Sequence, residues 1–213
     1  MKIPLIQNFD TVILAHGDFP AHPLAVQALR CAKNVVCCDG AVESLLQFGL
    51  EPTYVVGDLD SISPTLKTRF ADRLHQETEQ ESNDLTKSVK FCREKGFDSI
   101  TILGATGKRE DHTLGNISLL ANYADTVRVQ MLSNYGVLNA ISETTTFESY
   151  AGQQVSIFRG SERVSITLQN LQYPLYRSTL AQLWMGTLNE ALATTFTIDV
   201  HEGKVVVFRE YPK

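Results

Sequence analysis

Features that would point to a membrane, zinc or nucleic-acid-binding protein are missing from this sequence. No apolar run approaches the ~20 residues that a transmembrane helix requires, and the N-terminal segment lacks the basic start and apolar core of a signal peptide. The four cysteines form no CxxC pair and the five histidines are scattered, so neither a zinc site nor a disulfide framework is expected. The net charge of -5 disfavours a nucleic-acid partner. We therefore expect a cytoplasmic protein with free thiols that binds neither membranes nor nucleic acid.

Two common nucleotide-binding motifs are also missing. The chain contains no G-x-G-x-x-G segment of the dinucleotide-binding type. Gly107-Lys108 resembles the end of a Walker A loop, but Arg109 follows where Ser or Thr is required, and no glycine lies five residues before Gly107. A nucleotide site in this chain must therefore be built from other elements.

What is present in the first half is an alternation of short buried strands with helices. The strands are continuous apolar or β-branched runs, and the segments between them carry apolar residues at helical spacing. This order predicts an α/β domain with a parallel sheet. The predicted strands are Thr11–Ala15, Val35–Cys38, Tyr54–Val56, Ser99–Leu103 and Thr126–Leu132, and the predicted helices are His22–Ala32, Ala41–Phe48, Asp84–Lys95 and Asp111–Tyr123.

The pattern changes after about Ser133, where short runs mostly alternate apolar with polar residues. Such runs are typical of antiparallel sheets with one solvated face, so we expect an all-β sandwich. The segment His201–Lys204 suggests a hairpin turn between the last two strands. We place the first domain at residues 1–135 and the second at 136–213. The predicted strands of the second are Val155–Phe158, Val164–Leu168, Phe196–Val200 and Val205–Phe208.

Acidic residues follow the predicted strands of the first half, where open α/β sheets bind their ligands. In the segment GDLDSI, Asp58 and Asp60 project to the same side if the backbone is extended. Two carboxylates so close repel unless one is protonated or a cation lies between them, and Mg²⁺ takes such ligands together with phosphate oxygens and water. The alternative is a helix cap at Asp58 and an Asx-turn at Asp60 with Ser61.

Two further segments carry cations at predicted helix starts. In ESNDLTKS, Asp84 suits the first helical turn, but Lys87 is misplaced there unless an anion is near, and a phosphate would supply one. Gln80 could reach the same place. In GATGKREDH, the Arg109 guanidinium suits phosphate oxygens, while Asp111 begins the next helix.

His112 and Asn116 lie four residues apart and share one face of that last helix, although capping or packing is the default role of His112. With Asp39, which directly follows another strand, these segments place acidic groups and phosphate-binding cations at consecutive strand ends. An acidic site that handles polyphosphate requires a divalent metal. The residues alone therefore predict a nucleotide site that uses Mg²⁺.

In order and content, these segments resemble the thiamine pyrophosphokinase family. The first-half motifs of that family are Asp-Gly, Gly-Asp-x-Asp-Ser, Gln with a later Asp-x-Thr-Lys, and Arg-x-Asp-His with a later Asn. They fall here at Asp39-Gly40, Gly57–Ser61, Gln80 with Asp84–Lys87, and Arg109–His112 with Asn116. The second half carries the looser matches Tyr173–Leu175 and Gly186–Glu190. Leu188 stands where the family usually has Ser, and Asn170 where Gly is frequent.

The resemblance implies a nucleotide-binding α/β domain followed by a β-sandwich, in a homodimer that binds thiamine between the sandwich of one subunit and the α/β domain of the other. The implied reaction transfers pyrophosphate from ATP to the thiamine hydroxyl, giving AMP and thiamine diphosphate. In this assignment Asp58, Asp60 and Asp84 hold Mg²⁺ and are catalytic together with Asp111. ATP is bound by Asp39, Gln80, Lys87, Arg109, His112 and Asn116, and thiamine by Thr187 and Asn189.

Two other functions remain open from the sequence. A pyrophosphokinase that acts on a pterin alcohol would share the ATP-binding half, and the apolar Leu188 is compatible with a different acceptor. A non-catalytic nucleotide-binding module is the second alternative. It is disfavoured because a binder has no need for so many clustered charges.

Overall fold

The computed structural model describes residues 1–212, which form two compact units. We call Phe9–Asn116 with Leu132–Asn134 the α/β unit, and Met1–Asn8, Ile117–Met131 and the chain from Tyr135 onward the β unit. The units interleave along the chain, so the division into residues 1–135 and 136–213 stays a prediction.

Residues 1–212 contain five α-helices, one 3-10 helix and fourteen strands. None of these helices is long and apolar enough to cross a membrane. The helices are α1 (Pro23–Cys31), α2 (Ala41–Gln47), α3 (Pro64–Arg69), α4 (Asp84–Glu94), α5 (Glu110–Tyr123) and the 3-10 helix Leu183–Gly186. The strands are β1 (Lys2–Ile3), β2 (Thr11–Leu14), β3 (Asn34–Cys38), β4 (Tyr54–Gly57), β5 (Leu74–Gln76), β6 (Ser99–Leu103), β7 (Arg128–Leu132), β8 (Gly136–Ile141), β9 (Thr145–Glu148), β10 (Gln154–Arg159), β11 (Ser165–Gln169), β12 (Asn189–Glu190), β13 (Thr195–Glu202) and β14 (Val205–Glu210).

The α/β unit is built on five parallel strands in the order β6-β2-β3-β4-β5. The predicted strands of this half are confirmed within one or two residues, because their continuous apolar runs are buried on both faces. Helix α3 and strand β5 were not predicted. Neither has a fully buried residue, so neither leaves a periodic apolar signal in the sequence.

The β unit contains two groups of paired strands. One is a four-stranded sheet in the order β1-β9-β13-β11, in which only β1 and β9 run parallel. The other is the antiparallel series β12-β10-β14-β8. Side chains from both groups share one apolar core, in which Phe147 stacks on Phe196 at 5.1 Å between ring centroids. The β-rich second half that the sequence predicted is therefore confirmed.

The predicted hairpin at His201–Lys204 is wrong. The turn is present, with Gly203 at φ 78°, but β13 pairs with β9 and β11 whereas β14 pairs with β8 and β10. The chain therefore crosses from one sheet to the other. β13 begins with the alternating pattern of a half-buried strand and β14 begins with three buried valines, and neither pattern identifies the partner strand.

A buried arginine holds the N-terminal segment against the rest of the β unit. Arg209 on β14 is 0% exposed, and its guanidinium lies 4.7 Å from the ring centroid of Phe147. Burial lowers the pKa of Arg209 to about 10, so the group remains charged at neutral pH. It donates hydrogen bonds of 2.8–3.4 Å to the carbonyls of Ile3, Pro4, Leu5 and Glu148 and to the side-chain oxygen of Asn139.

We expect Arg209→Ala to lower the free energy of unfolding by roughly 3 kcal/mol or more, because it leaves several buried carbonyls without a donor. Urea denaturation followed by far-ultraviolet circular dichroism measures the change. Arg159→Ala, which removes an exposed arginine from the end of β10, is the matched control and should change stability by less than about 0.5 kcal/mol. Equal effects of the two substitutions would contradict the anchoring role of Arg209.

Candidate functional site

A cavity of about 410 Å³ lies in the α/β unit, within the size range of small-molecule sites. It is lined by residues that directly follow β2, β3, β4 and β6 and by the first turns of α4 and α5. The parallel strands end at the same edge of the sheet, which is why segments far apart in sequence meet here. Eight of the residues predicted from the sequence line this cavity: Asp39, Asp58, Gln80, Asp84, Lys87, Arg109, His112 and Asn116.

Asp39 is the most deeply buried carboxylate of the cavity, at 6% exposure. It directly follows β3 and has φ 39°, a left-handed conformation that Asp tolerates better than most residues. Its Oδ2 accepts a hydrogen bond of 3.3 Å from the amide of Ser61. Its Oδ1 is buried and has no hydrogen-bond partner within residues 1–212. A buried carboxylate oxygen without a donor is costly, so this atom is suited to a cation or a ligand donor.

Gly57 allows two of the carboxylates to approach each other. A Cβ atom at this position would lie 3.0 Å from the Cβ of Asp39 and 3.3 Å from Oδ1 of Asp84. Any side chain here would therefore push against both acidic residues. Glycine at the end of β4 is needed for the close approach itself.

Asp84 and Lys87 form a partly buried ion pair on the first turn of α4. The Lys87 ammonium lies 3.5 Å from Oδ1 of Asp84, and the lysine side chain is only 4% exposed. Burial raises the pKa of Asp84; Lys87 opposes this shift, while the negative charges of Asp39 and Asp58 add to it. The three carboxylates thus influence one another electrostatically, as a shared cation site requires.

The backbone between Asp58 and Asp60 is not extended, and the sequence prediction was wrong on this point. Leu59 has φ 66° and is buried, so strand geometry does not direct the two carboxylates to one side. Oδ1 of Asp58 accepts a hydrogen bond of 3.1 Å from the amide of Asp60, so the Asx-turn is made by Asp58 and not, as the alternative had it, by Asp60 with Ser61. Asp58 lines the cavity, whereas Asp60 is exposed and is not among the lining residues.

Arg109 and Asp111 form a two-bonded ion pair at the start of α5. The guanidinium donates to both carboxylate oxygens, with Nε at 3.1 Å from Oδ1. The hydrogen bonds from Arg109 and from the amide of His112 lower the pKa of Asp111 to about 2. Arg109 and His112 line the cavity but Asp111 does not, so Asp111 orients the arginine from outside.

A chain of amide hydrogen bonds fixes the rim of the cavity. Asn116 on α5 donates to the carbonyl of Ala105 at 2.8 Å and accepts from Asn83 at 3.1 Å. Asn83 in turn caps α4 by accepting from the amide of Thr86 at 2.9 Å. The starts of α4 and α5 are thereby held at fixed positions around the cavity. Gln80 is exposed at the same rim.

Several lining residues were not predicted, among them His16, Gly17 and Lys108. His16 and Gly17 follow β2, which, unlike β3 and β4, has no acidic residue immediately after it. Ligands bind at the carboxyl ends of parallel strands, and this rule points to His16 and Gly17 even though no acidic residue marks the end of β2. Gly17 is required by space, because a Cβ there would lie 2.4 Å from the carbonyl oxygen of Gly104.

Within residues 1–212, no three His, Cys, Asp or Glu side chains form a preassembled metal cage. Mg²⁺ does not require such a cage, because one or two carboxylates suffice when phosphate oxygens and water complete its coordination shell. The free Oδ1 of Asp39 and the carboxylates of Asp58 and Asp84 fit that requirement.

The two residues predicted for the acceptor lie in the β unit. Asn189 is 4% exposed, and its side chain accepts from the amide of Tyr173 at 3.0 Å and donates to the Tyr173 carbonyl at 2.9 Å. The hydroxyl of Thr187 donates to the carbonyl of Trp184 at 2.7 Å. These hydrogen bonds therefore fix the backbone of two exposed aromatic residues, Tyr173 and Trp184. Asn170 has φ 60°, as expected of a position suited to glycine.

Exposed large apolar side chains are concentrated in the segment that contains these residues, from Tyr173 to Leu192. Trp184 is 72% exposed, and Leu188, at φ 56°, is 76% exposed. A concentration of exposed large apolar side chains is typical of a binding or oligomer surface. We call this set the apolar surface of the β unit: Tyr173, Tyr176, Leu183, Trp184, Met185, Leu188 and Leu192.

Comparison with known proteins gives consistent matches for both halves of the chain. The family model described as the catalytic domain of thiamin pyrophosphokinase matches residues 25–131, and that of the substrate-binding domain matches residues 136–208. The chain is 30% identical over 183 residues to thiamine pyrophosphokinase of Bacillus subtilis strain 168, an alignment covering 80% of this chain and 84% of the relative.

Two further relatives agree. Thiamin pyrophosphokinase 1 of Caenorhabditis elegans is 36% identical over 103 residues, which span 44% of this chain and 42% of the nematode protein. The alignment thus covers less than half of that relative. The crystal structure of thiamin pyrophosphokinase from Geobacillus thermodenitrificans superposes with a TM-score of 0.75 at 26% identity, covering 95% of this chain and 98% of that one.

We expect Asp39→Asn to raise the free energy of unfolding at pH 7 by about 1 kcal/mol, because a neutral amide replaces a buried carboxylate oxygen that lacks a donor. Asn tolerates the left-handed backbone equally well. Urea denaturation measures the change. Asp60→Asn, at an exposed position of the same region, should change stability by less than about 0.5 kcal/mol. A destabilised Asp39→Asn protein would show instead that the carboxylate is compensated within the fold.

Proposed function

The chain belongs to the thiamin pyrophosphokinase family, and we propose that it transfers a pyrophosphoryl group from ATP to the hydroxyl of thiamine, releasing AMP and thiamine diphosphate. Thiamine pyrophosphokinase is the activity on which the family models, the relatives and the solved structure agree. Neither alternative function is favoured by these matches. The observation that carries the proposal is the meeting of carboxylates and phosphate-binding cations in one cavity at the ends of parallel strands.

The proposed nucleotide site is this cavity. Lys87 and Arg109 are assigned to the polyphosphate, since both line the cavity and offer cationic donors. Asp111 holds the Arg109 guanidinium in position through its two hydrogen bonds. Gln80, His112 and Asn116 are assigned to ATP as neighbouring polar groups.

We assign Mg²⁺ to Asp58, Asp60 and Asp84, directly or through water, with Asp39 completing the acidic site. The support is the free Oδ1 of Asp39 and the raised pKa of Asp84, which burial and the neighbouring carboxylates cause. When bound, the ion neutralises the polyphosphate charge and withdraws electrons from phosphorus. Asp60 lies outside the cavity lining, which favours contact through water.

The reaction requires the thiamine hydroxyl to attack the β-phosphorus of ATP while AMP leaves in line. Catalysis of phosphoryl-type transfer depends mainly on positioning and on neutralisation of charge. The fixed rim formed by Asn83, Asn116 and Ala105 and the paired Arg109 supply the positioning. A nearby carboxylate accepts the hydroxyl proton, and Asp58 and Asp84 are the candidates that line the cavity.

Thr187 and Asn189 are assigned to the acceptor, since they fix the backbone of the apolar surface of the β unit. An apolar surface suits the aromatic rings of thiamine. We also propose that a second copy of the chain packs on this surface to form a homodimer. A cytoplasmic location is consistent with four free cysteines, of which Cys31 is exposed.

Incubation of the protein with ATP, Mg²⁺ and thiamine should yield AMP and thiamine diphosphate in equal amounts, because the attack is on the β-phosphorus. Chromatography resolves the nucleotides and the thiamine esters. Formation of ADP with thiamine monophosphate would contradict the reaction type. Turnover with a pterin alcohol but not with thiamine would establish the alternative acceptor.

The same assay tests the metal assignment. Chelation of divalent ions should abolish the product, and Asp58→Asn and Asp60→Asn should each lower kcat by at least ~100-fold while leaving the circular dichroism spectrum unchanged. Full activity of both variants would reject these two residues as metal ligands and leave the observed Asx-turn as their role.

We expect the protein to sediment as a homodimer and Trp184→Asp to sediment as a monomer, because a charge on the apolar surface must be desolvated on association. Trp184→Phe keeps an apolar ring and is the matched control, which should remain dimeric. Analytical ultracentrifugation gives the masses. Trp184 is the single tryptophan of the chain, so its emission should also shift to shorter wavelength as the dimer forms. An active wild-type monomer at the assay concentration would contradict the dimer.

A further inference from the structure

Three lysine and arginine side chains of residues 1–212 line the cavity, and they differ in how their charges are compensated. Lys87 pairs with Asp84, and Arg109 pairs with Asp111. Lys108 has no carboxylate within ion-pair distance in the described part of the chain. Its ammonium donates instead to a neutral acceptor, the carbonyl of His16, at 2.9 Å. The positive charge of Lys108 is therefore the one not balanced by the protein at this site.

The backbone of Lys108 is also unusual. Its φ of 59° lies in the left-handed region, where glycine is favoured and a long side chain is strained. Residues held in such conformations are concentrated at ligand-binding sites. Here the conformation carries the side chain from the loop after β6 to the loop after β2.

The contact between Lys108 and His16 is not needed to join those two loops. Backbone hydrogen bonds already connect them, from Gly17 to the Gly104 carbonyl at 2.6 Å and from Asp18 to the Thr106 carbonyl at 2.8 Å. The Lys108 side chain is exposed, so its bond to a neutral carbonyl contributes little to stability. The ammonium can therefore leave this carbonyl for a stronger, anionic acceptor without loosening the loops.

We propose that Lys108 is a polyphosphate-binding residue of the nucleotide site, in addition to Lys87 and Arg109. The inference rests on the proposed function, since it requires that ATP occupies this cavity. The unpaired ammonium exchanges the His16 carbonyl for a phosphate oxygen of ATP, and the strained backbone is retained because it places the ammonium at the cavity. Lys108 binds the phosphate through its positive charge and not through a specific hydrogen-bond geometry. Arginine at this position therefore keeps the function.

Isothermal titration of ATP into the protein with Mg²⁺ and without thiamine tests this role. Lys108→Ala and Lys108→Gly should weaken ATP binding about tenfold, which corresponds to ~1.4 kcal/mol, while Lys108→Arg should stay within about threefold of wild type. AMP affinity should change by less than about twofold, because AMP lacks the polyphosphate. Lys90→Ala, which removes an exposed lysine of α4 that does not line the cavity, is the charge-matched control.

Thermal unfolding separates binding from folding. Lys108→Gly should melt at or above the wild-type temperature, because glycine relieves the left-handed strain. If wild-type protein binds no ATP, the proposed function itself fails. If wild-type protein binds ATP and the Lys108 variants bind it as tightly as Lys90→Ala does, this inference alone is overturned. Equal losses for ATP and AMP together with a lower melting temperature would also overturn it, since they would show a structural role.

Discussion

The concentration of negative charge at one edge of the parallel sheet is the constraint on which the site depends. Asp39, Asp58 and Asp84 come from separate segments, and parallel strand order brings them together. Gly57 removes the side chain that would keep two of them apart. Like charges this close raise the cost of ionisation, which is seen in the raised pKa of Asp84. In the proposed function, a bound cation and the polyphosphate of ATP would offset this cost.

The cations of the cavity are arranged in three different ways, and each has a physical reason. Lys87 is buried beside Asp84, since an isolated ammonium at that depth would be too costly. Arg109 is exposed but held by the two oxygens of Asp111, so its planar group has a fixed direction. Lys108 is exposed and bonded to a neutral carbonyl. The site therefore contains two cations that carboxylates hold in place, Lys87 and Arg109, and one cation without a carboxylate partner, Lys108.

The β unit uses buried polar side chains to hold backbone in place, and it exposes several large apolar side chains between Tyr173 and Leu192. Arg209 satisfies carbonyls of the N-terminal segment from within the core. Asn189 does the same for Tyr173 beside the apolar surface. Fixing the backbone by buried hydrogen bonds lets side chains such as Trp184 stay exposed without loss of local order.

The central strands were predictable from the amino-acid sequence, because β2, β3, β4 and β6 are continuous apolar runs whose burial needs no knowledge of their partners. The sequence also predicted eight of the cavity-lining residues, among them Asp39 and Asp58 directly after β3 and β4, since parallel strands must end at a common edge, but it did not predict His16, Gly17 or Lys108. It could not find α3 or β5, which bury no residue completely.

The folded structure alone shows which strands pair across the turn at Gly203, because the apolar pattern of a strand does not identify its partner. It also decided the turn at Leu59, the partners of each cavity cation and the exposure of Lys108, since backbone handedness and charge pairing arise from contacts between segments distant in the sequence.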